Sequence, residues 1–195
     1  SYNFGSDGAL QQGSGKNGID VSSHQGNIDW ASVKAAGINF AIIRVGYRGS
    51  QTGALVEDSC FKKNIQGATA NGINVGVYFF TQATTEAEAV EEASMALTLC
   101  SGYNLSYPIF VDTENGSGAA RANGLDKGTR TACVAAFCKT IANGGRKAGV
   151  YASKSWYNNK IDASAFSNYF LWVAQYNTTC NYLSLIHISE PTRPI

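Results

Sequence analysis

Three acidic residues stand at the ends of apolar runs: Asp20 in Gly18-Ile19-Asp20-Val21, and Asp112 and Glu114 in Tyr107-Pro108-Ile109-Phe110-Val111-Asp112-Thr113-Glu114. Side chains alternate across an extended chain, so Asp112 and Glu114 point to one side with Cα atoms about 6.5–7 Å apart. A charged group that follows such a run is costly to bury unless it is paired or has a role. A purely structural use is open to this pair: Asp112 can cap the following turn, and Glu114 can pair with Arg44 or Lys127. Adding Asp20 from another strand end gives three acids around one cleft, whose mutual repulsion drives their protonation states apart. Glycoside hydrolysis needs that division, with one carboxyl protonated to donate to the leaving oxygen and others ionised to face the positive anomeric centre.

Other chemistries find less support. With His24 and His187 as its two histidines, the chain cannot build a His-rich metal site, although carboxylates alone could take magnesium or calcium; no metal or other cofactor is expected. A GxSxG elbow is missing, so covalent catalysis by serine lacks its usual frame, and His24, after the first strand, reads as a local hydrogen-bonding residue. Aromatic side chains complete the candidate site. Tyr78 and Phe80 share parity on one run, as do Trp172, Ala174 and Tyr176 on another; Phe80 is expected in the core, and Tyr78, Trp172 and Tyr176 as a stacking wall beside the acids.

These residues need a scaffold that gathers strand ends. Short apolar runs at Gly18-Val21, Phe40-Val45, Asn74-Phe80, Tyr107-Val111, Ala148-Ala152 and Phe170-Gln175 alternate with helix candidates Trp30-Ala36, Cys60-Asn71, Thr85-Leu99 and Lys127-Ala142. That alternation predicts an α/β fold, an irregular (β/α)-barrel in preference to an open doubly wound sheet, with chemistry at the C-terminal ends of the strands. Gly37, Gly72, Gly102 and Gly144 fall where helices should be capped. Neither GxGxxG after the first strand nor GxxxxGK[ST] is found, so nucleotide-cradling loops are not indicated.

Composition narrows the partners. The 195 residues are 44% hydrophobic with a formal net charge of +1 and scattered basic residues, which excludes the basic stripe of a nucleic-acid or anionic-membrane binder. No run of about 18 apolar residues is present to span a bilayer. The five cysteines show no CxxC spacing, and burial with at most one disulfide is expected. Residues 1–16, rich in Gly and Ser, read as a flexible linker, and a monomer is expected.

The stretch Gly18-Ile-Asp-Val-Ser-Ser-His-Gln-Gly-Asn-Ile-Asp-Trp30 resembles the opening motif of family 25 glycoside hydrolases, the Chalaropsis-type lysozymes. Phe40-Ala-Ile-Ile-Arg-Val-Gly-Tyr47, Val75-Gly-Val-Tyr-Phe-Phe80, Pro108-Ile-Phe-Val-Asp-Thr-Glu114, Gly149-Val-Tyr-Ala152 and Leu171-Trp-Val-Ala-Gln-Tyr176 are similar to its successive strands, in order. The resemblance implies a catalytic domain over residues 17–182, five β/α units plus further strands, and a retaining muramidase acting on bacterial peptidoglycan, secreted, at the cell wall or as a phage lysin. It implies Glu114 as general acid, Asp112 and Asp20 as stabilising partners, and Tyr78, Tyr151, Trp172, Gln175 and Tyr176 along the groove. A non-catalytic wall-binding domain and a metal-dependent polysaccharide hydrolase are the alternatives.

The departure from the family pattern is at the end. Residues 183–195, Leu-Ser-Leu-Ile-His-Ile-Ser-Glu-Pro-Thr-Arg-Pro-Ile, resemble translated adapter sequence, a non-native tail in place of two further strands. The expectation is a barrel left open beside Gly18-Val21 and Phe170-Gln175.

Overall fold

A computed structural model describes residues 2–3, 17–176 and 184–189. Six parallel strands run in the order expected: β2 (Gly18–Val21), β3 (Phe40–Arg48), β5 (Asn74–Phe80), β6 (Ile109–Asp112), β7 (Ala148–Ser153) and β8 (Phe170–Tyr176). Between them lie α1 (Trp30–Ala35), α2 (Phe61–Ala70), α3 (Glu86–Cys100), α4 (Lys127–Asn143) and α5 (Lys154–Asn159). The short β4 (Leu55–Glu57) folds back antiparallel on β3, and β1 (Tyr2–Asn3) pairs with β9 (Ser184–Ser189). The sheet order β1-β9-β8-β7-β6-β5-β3-β2 leaves β2 at one end, and the sheet curls into a half-barrel.

Parity along the strands sorts the core into two layers. Ala41, Ile43, Val45, Val75, Val77, Phe79, Ile109, Val111 and Val150 face outward and are packed under helix residues such as Ile65, Ala93, Phe137 and Ile141. Phe40, Ile42, Phe110 and Trp172 fill the inside. Glycine makes room there: a Cβ on Gly18 would lie 2.1 Å from the Phe40 ring, and one on Gly149 would lie 2.5 Å from Phe110. This pairing of large and absent side chains is what closes so small a half-barrel.

Local signals account for the helix ends. Asp29, Thr85, Asp126 and Ser153 each accept a backbone N–H of the helix they precede. Gly37 and Gly72 take the left-handed conformation expected of caps, whereas after α4 it is Gly145, at φ 78°, that does so and not Gly144.

One expectation is corrected. The sheet does not stop at β8, because β9 pairs antiparallel with it from Leu171↔Ser189 to Tyr176↔Ser184. Leu185-Ile186-His187-Ile188 is rich in β-formers, and a parallel sheet edge offers unpaired backbone groups to such a segment. Only the β2 side of the described parallel strands is therefore left without a neighbour. The cysteines follow the expectation of burial: Cys60, Cys100, Cys133 and Cys138 are free thiols, the last three buried inside the helix layer, and Cys180 lies outside the described residues.

Candidate active site

The C-terminal ends of the parallel strands converge on a cleft lined by Asp20, Tyr78, Asp112, Glu114, Tyr151 and Trp172, with ≈ 350 Å³ of empty space open to solvent. Five strands contribute. Asp112 ends β6, in register with Phe80 of β5 and Tyr151 of β7. The ladder continues one residue further, since the Thr113 amide donates to the Tyr151 carbonyl at 3.0 Å, and this extension aims Glu114 to the same side as Asp112. Asp112 is 6% exposed and Thr113 2%, while Asp20 and Glu114 open to solvent.

The carboxyls act on one another. Burial, then the charges of Glu114 and Asp20, hold the Asp112 carboxyl well above the usual carboxylate range, against an opposing pull from Arg44. Burial and the charge of Asp20 also push Glu114 up, and its hydrogen bond with Asp112 pulls it back. The pair therefore shares a proton, with the enclosed Asp112 held higher. Asp20 is raised by crowding against protein atoms, an effect its solvent-open side chain screens. Burial and the two aspartates push the Tyr78 phenol up, so it stays protonated in the cleft.

The aromatic wall is rigid. Tyr151 meets Trp172 edge to face with ring centroids 4.6 Å apart, and Trp172 meets Phe110 at 5.4 Å. The Trp172 Nε1 and Asp112 Oδ1 atoms are buried and without hydrogen-bond partners among the described residues. Phe80 is half-buried and falls outside the group that lines the cleft. The side chains of Gln175 and Tyr176 lie outside the described residues.

One structural alternative falls away here and one reading holds. Arg44 does not pair with Glu114: its Nε donates to Asp58 Oδ2 at 2.7 Å and its Nη2 to Ser23 Oγ at 3.0 Å. His24 is exposed, and its amide donates to Ser22 Oγ at 3.2 Å in a capping box completed by Gln25. Sequence reasoning weighed Arg44 only as a partner of Glu114 and passed over Asp58 and Ser22 as site residues, although Arg44 shares parity with Phe40 and Ile42 and so was due to face inward. Among the described residues no group of three His, Cys, Asp or Glu is arranged to hold a metal ion.

The loop behind Glu114 is clamped. Asn123 and Gly116 exchange two hydrogen bonds, from the Gly116 amide to Asn123 Oδ1 at 2.9 Å and from Asn123 Nδ2 to the Gly116 carbonyl at 3.1 Å. Arg121 then ties the loop to the Gln82 carbonyl at 3.3 Å and to Glu88 at 2.8 Å.

Comparison with known proteins agrees with this architecture. Over 149 residues the chain is 30% identical to Lysozyme M1 of Streptomyces globisporus, covering 74% of this chain and 49% of that protein. It is 27% identical over 146 residues to the N,O-diacetylmuramidase of Arthroderma benhamiae, covering 73% and 59%. The modular autolysin LytC of Streptococcus pneumoniae, also solved with a synthetic peptidoglycan ligand, superposes with a TM-score of 0.75 at 28% identity, over 91% of this chain and 42% of the autolysin. The chain thus spans about half the length of the curated relatives it matches. The family pattern described as Glycosyl hydrolases family 25 matches residues 19–186, from the β2 strand that carries Asp20 to within β9, and the chain belongs to that family.

Proposed function

We propose that this domain is a muramidase that hydrolyses the β-1,4 bond between N-acetylmuramic acid and N-acetylglucosamine in bacterial peptidoglycan, with retention of configuration. The observation that carries it is the convergence of Asp20, Asp112 and Glu114 with Tyr78, Tyr151 and Trp172 on one cleft at the parallel strand ends, in a chain of family 25. Relatives named as lysozymes, muramidases and an autolysin support the substrate class. They also support action at the cell wall, and among the described residues no helix is long and apolar enough to cross a membrane.

The chemistry follows from the shared proton. A sugar filling the cleft displaces water from the open side of Glu114, which favours the neutral form of that carboxyl and hands it the proton. Glu114 then protonates the glycosidic oxygen as the bond to C1 breaks. The substrate's acetamido oxygen closes on C1 from the opposite face, while Asp112 accepts the acetamido N–H and the unpartnered Trp172 Nε1–H is a donor within the same cleft. Glu114, now ionised, takes a proton from the incoming water, whose oxygen opens the ring intermediate and restores the original anomer. Asp20 faces the developing positive charge.

Digestion of purified peptidoglycan followed by mass spectrometry tests the assignment. N-acetylmuramic acid is expected at the new reducing ends. Release of N-acetylglucosamine ends, or of peptides alone, would overturn it.

A further inference from the structure

Behind the acidic wall lies one guanidinium whose placement the reaction as described leaves unused. Arg44 sits on β3 opposite Tyr78 of β5, two residues beyond Ile42, which is in register with Asp20 of β2. Its parity is that of Phe40 and Ile42, so the side chain rises inside the half-barrel toward the strand ends that carry the acids.

The side chain is fixed from three directions. Asp58 Oδ2 receives its Nε at 2.7 Å, Ser23 Oγ receives its Nη2 at 3.0 Å, and its guanidinium lies over the Tyr47 ring with 5.0 Å to the centroid. Asp58 is itself anchored, accepting the Ser23 amide at 3.0 Å and the Cys60 amide at 2.9 Å. Although burial pushes the Asp58 carboxyl up, those amides and Arg44 hold it below the usual range, so it is ionised at neutral pH. The clamp joins the loop after β2, strand β3 and the entry to α2 at one point.

The groups around the cleft come from every neighbouring element: Asp20 on β2, with Ser22, Ser23 and the exposed His24 on its loop; Tyr78 on β5; Asp112 and Glu114 on β6; Tyr151 on β7. Three are acids and none of these is a strong base. Resting on the muramidase reading, we infer that Arg44 is a positioning residue that supplies the fixed positive charge against which the three cleft carboxyls are balanced, with Asp58 setting its strength. Arg44 acts on Asp112 and on Tyr78 through its charge, which agrees with that placement. The benefit is division of labour: with no cation nearby, each further ionisation beside the enclosed Asp112 is costlier, and fewer of the three acids are left ionised to face the reacting sugar.

Two substitutions of opposite sign test this. Arg44→Gln removes the cation and should move the acid limb of the kcat profile to higher pH by about one unit, a roughly tenfold loss at the pH of the original limb, with KM little changed. Asp58→Asn removes the counter-charge and should move the limb to lower pH. Arg44→Lys keeps the charge and should restore the wild-type limb even where thermal stability falls. Limbs that superimpose while kcat drops, or that move in the same direction in both variants, overturn the proposal and leave Arg44 a structural clamp. Should Arg44→Gln fail to fold, the Asp58→Asn and Arg44→Lys profiles decide it. Titration of ¹³C-labelled Asp and Glu carboxyls by NMR reads the same coupling without turnover, so a protein inactive on peptidoglycan would overturn the muramidase reading while the Asp112 titration still judged Arg44.

Discussion

Asp112 and Glu114 project from one side of β6 into the same cleft, the first enclosed at 6% exposure and the second open to solvent. That difference in enclosure separates two carboxyls of the same chemical type. Glu114 can meet a leaving group and exchange protons with water, whereas Asp112 is held in a fixed direction by the strand that ends with it.

Glu114→Gln should abolish release of reducing ends from peptidoglycan, by about 10²–10⁴-fold or more, because the amide cannot donate the proton that the leaving oxygen requires. The side chain is exposed, so the thermal midpoint should stay within a degree or two of wild type. Reducing-sugar assay and circular dichroism on one preparation check both halves. Full activity in the variant would remove Glu114 from the role of acid.

Asp112→Asn should destroy activity and yet stabilise the protein at neutral pH. The folded-state carboxyl is raised above its unfolded range, so its favourable contribution is complete below that range and is lost as pH rises through the folded value. At pH 7 the wild type crowds three titrating carboxyls into one cleft, the enclosed Asp112 among them, and the variant leaves two. Each ~1 kcal/mol relieved raises Tm by about 2–4 °C for a chain of this size. The gain should shrink toward zero near pH 4, and scanning calorimetry at the two pH values measures it. An equal shift at both would place the effect in packing.

How much of this was legible in the sequence depends on the range of the interaction. The six parallel strands and four main helices came from local periodicity, and the site acids from their positions at the ends of apolar runs. The interactions it hid are those that join distant segments. Asp58 follows a three-residue strand too short to show alternation, and its partner Arg44 lies 14 residues away. Arg48 lies 44 residues from the Glu92 it meets, and Glu92 sits on a helix face where a carboxylate reads as solvated. Pairing of β9 with β8 was likewise missed, since an edge strand is defined by its partner more than by its own pattern.

Glu92→Gln should destabilise the fold by about 3–5 kcal/mol. Glu92 is fully enclosed, receives Arg48 Nε at 2.9 Å and Thr81 Oγ1 at 2.6 Å, and so ties α3 to β3 and to the segment after β5. Burial pushes this carboxyl up while both partners oppose it, so its charge depends on their remaining in place. The amide offers one acceptor where two are needed and leaves Arg48 with Glu91, which is largely exposed. Urea unfolding should show a lower midpoint at unchanged slope. A difference below ~1 kcal/mol would mean that Glu91 and the Gly53 and Glu88 carbonyls satisfy Arg48 by themselves.

Gly116→Ala should separate the placement of Glu114 from the stability of the fold. A Cβ at this position would lie 2.5 Å from the Ala120 Cβ and 3.1 Å from both Gln82 Nε2 and Ser50 Oγ, so the loop must shift two residues after the acid. Gln82 is fully buried and cannot retreat freely, and Asn123 holds the Gly116 backbone from the far side. The displacement therefore passes along the chain toward Glu114. We expect kcat to fall about 10²-fold, the scale of an ångström of misplacement, with KM within a few-fold of wild type. The melting temperature should drop by only a few degrees, because the loop lies outside both core layers. A Gly116→Ala protein with wild-type kcat would show that Glu114 is placed by the β6 ladder alone, through the Thr113 amide and the Tyr151 carbonyl, and that the loop is free to move beneath it.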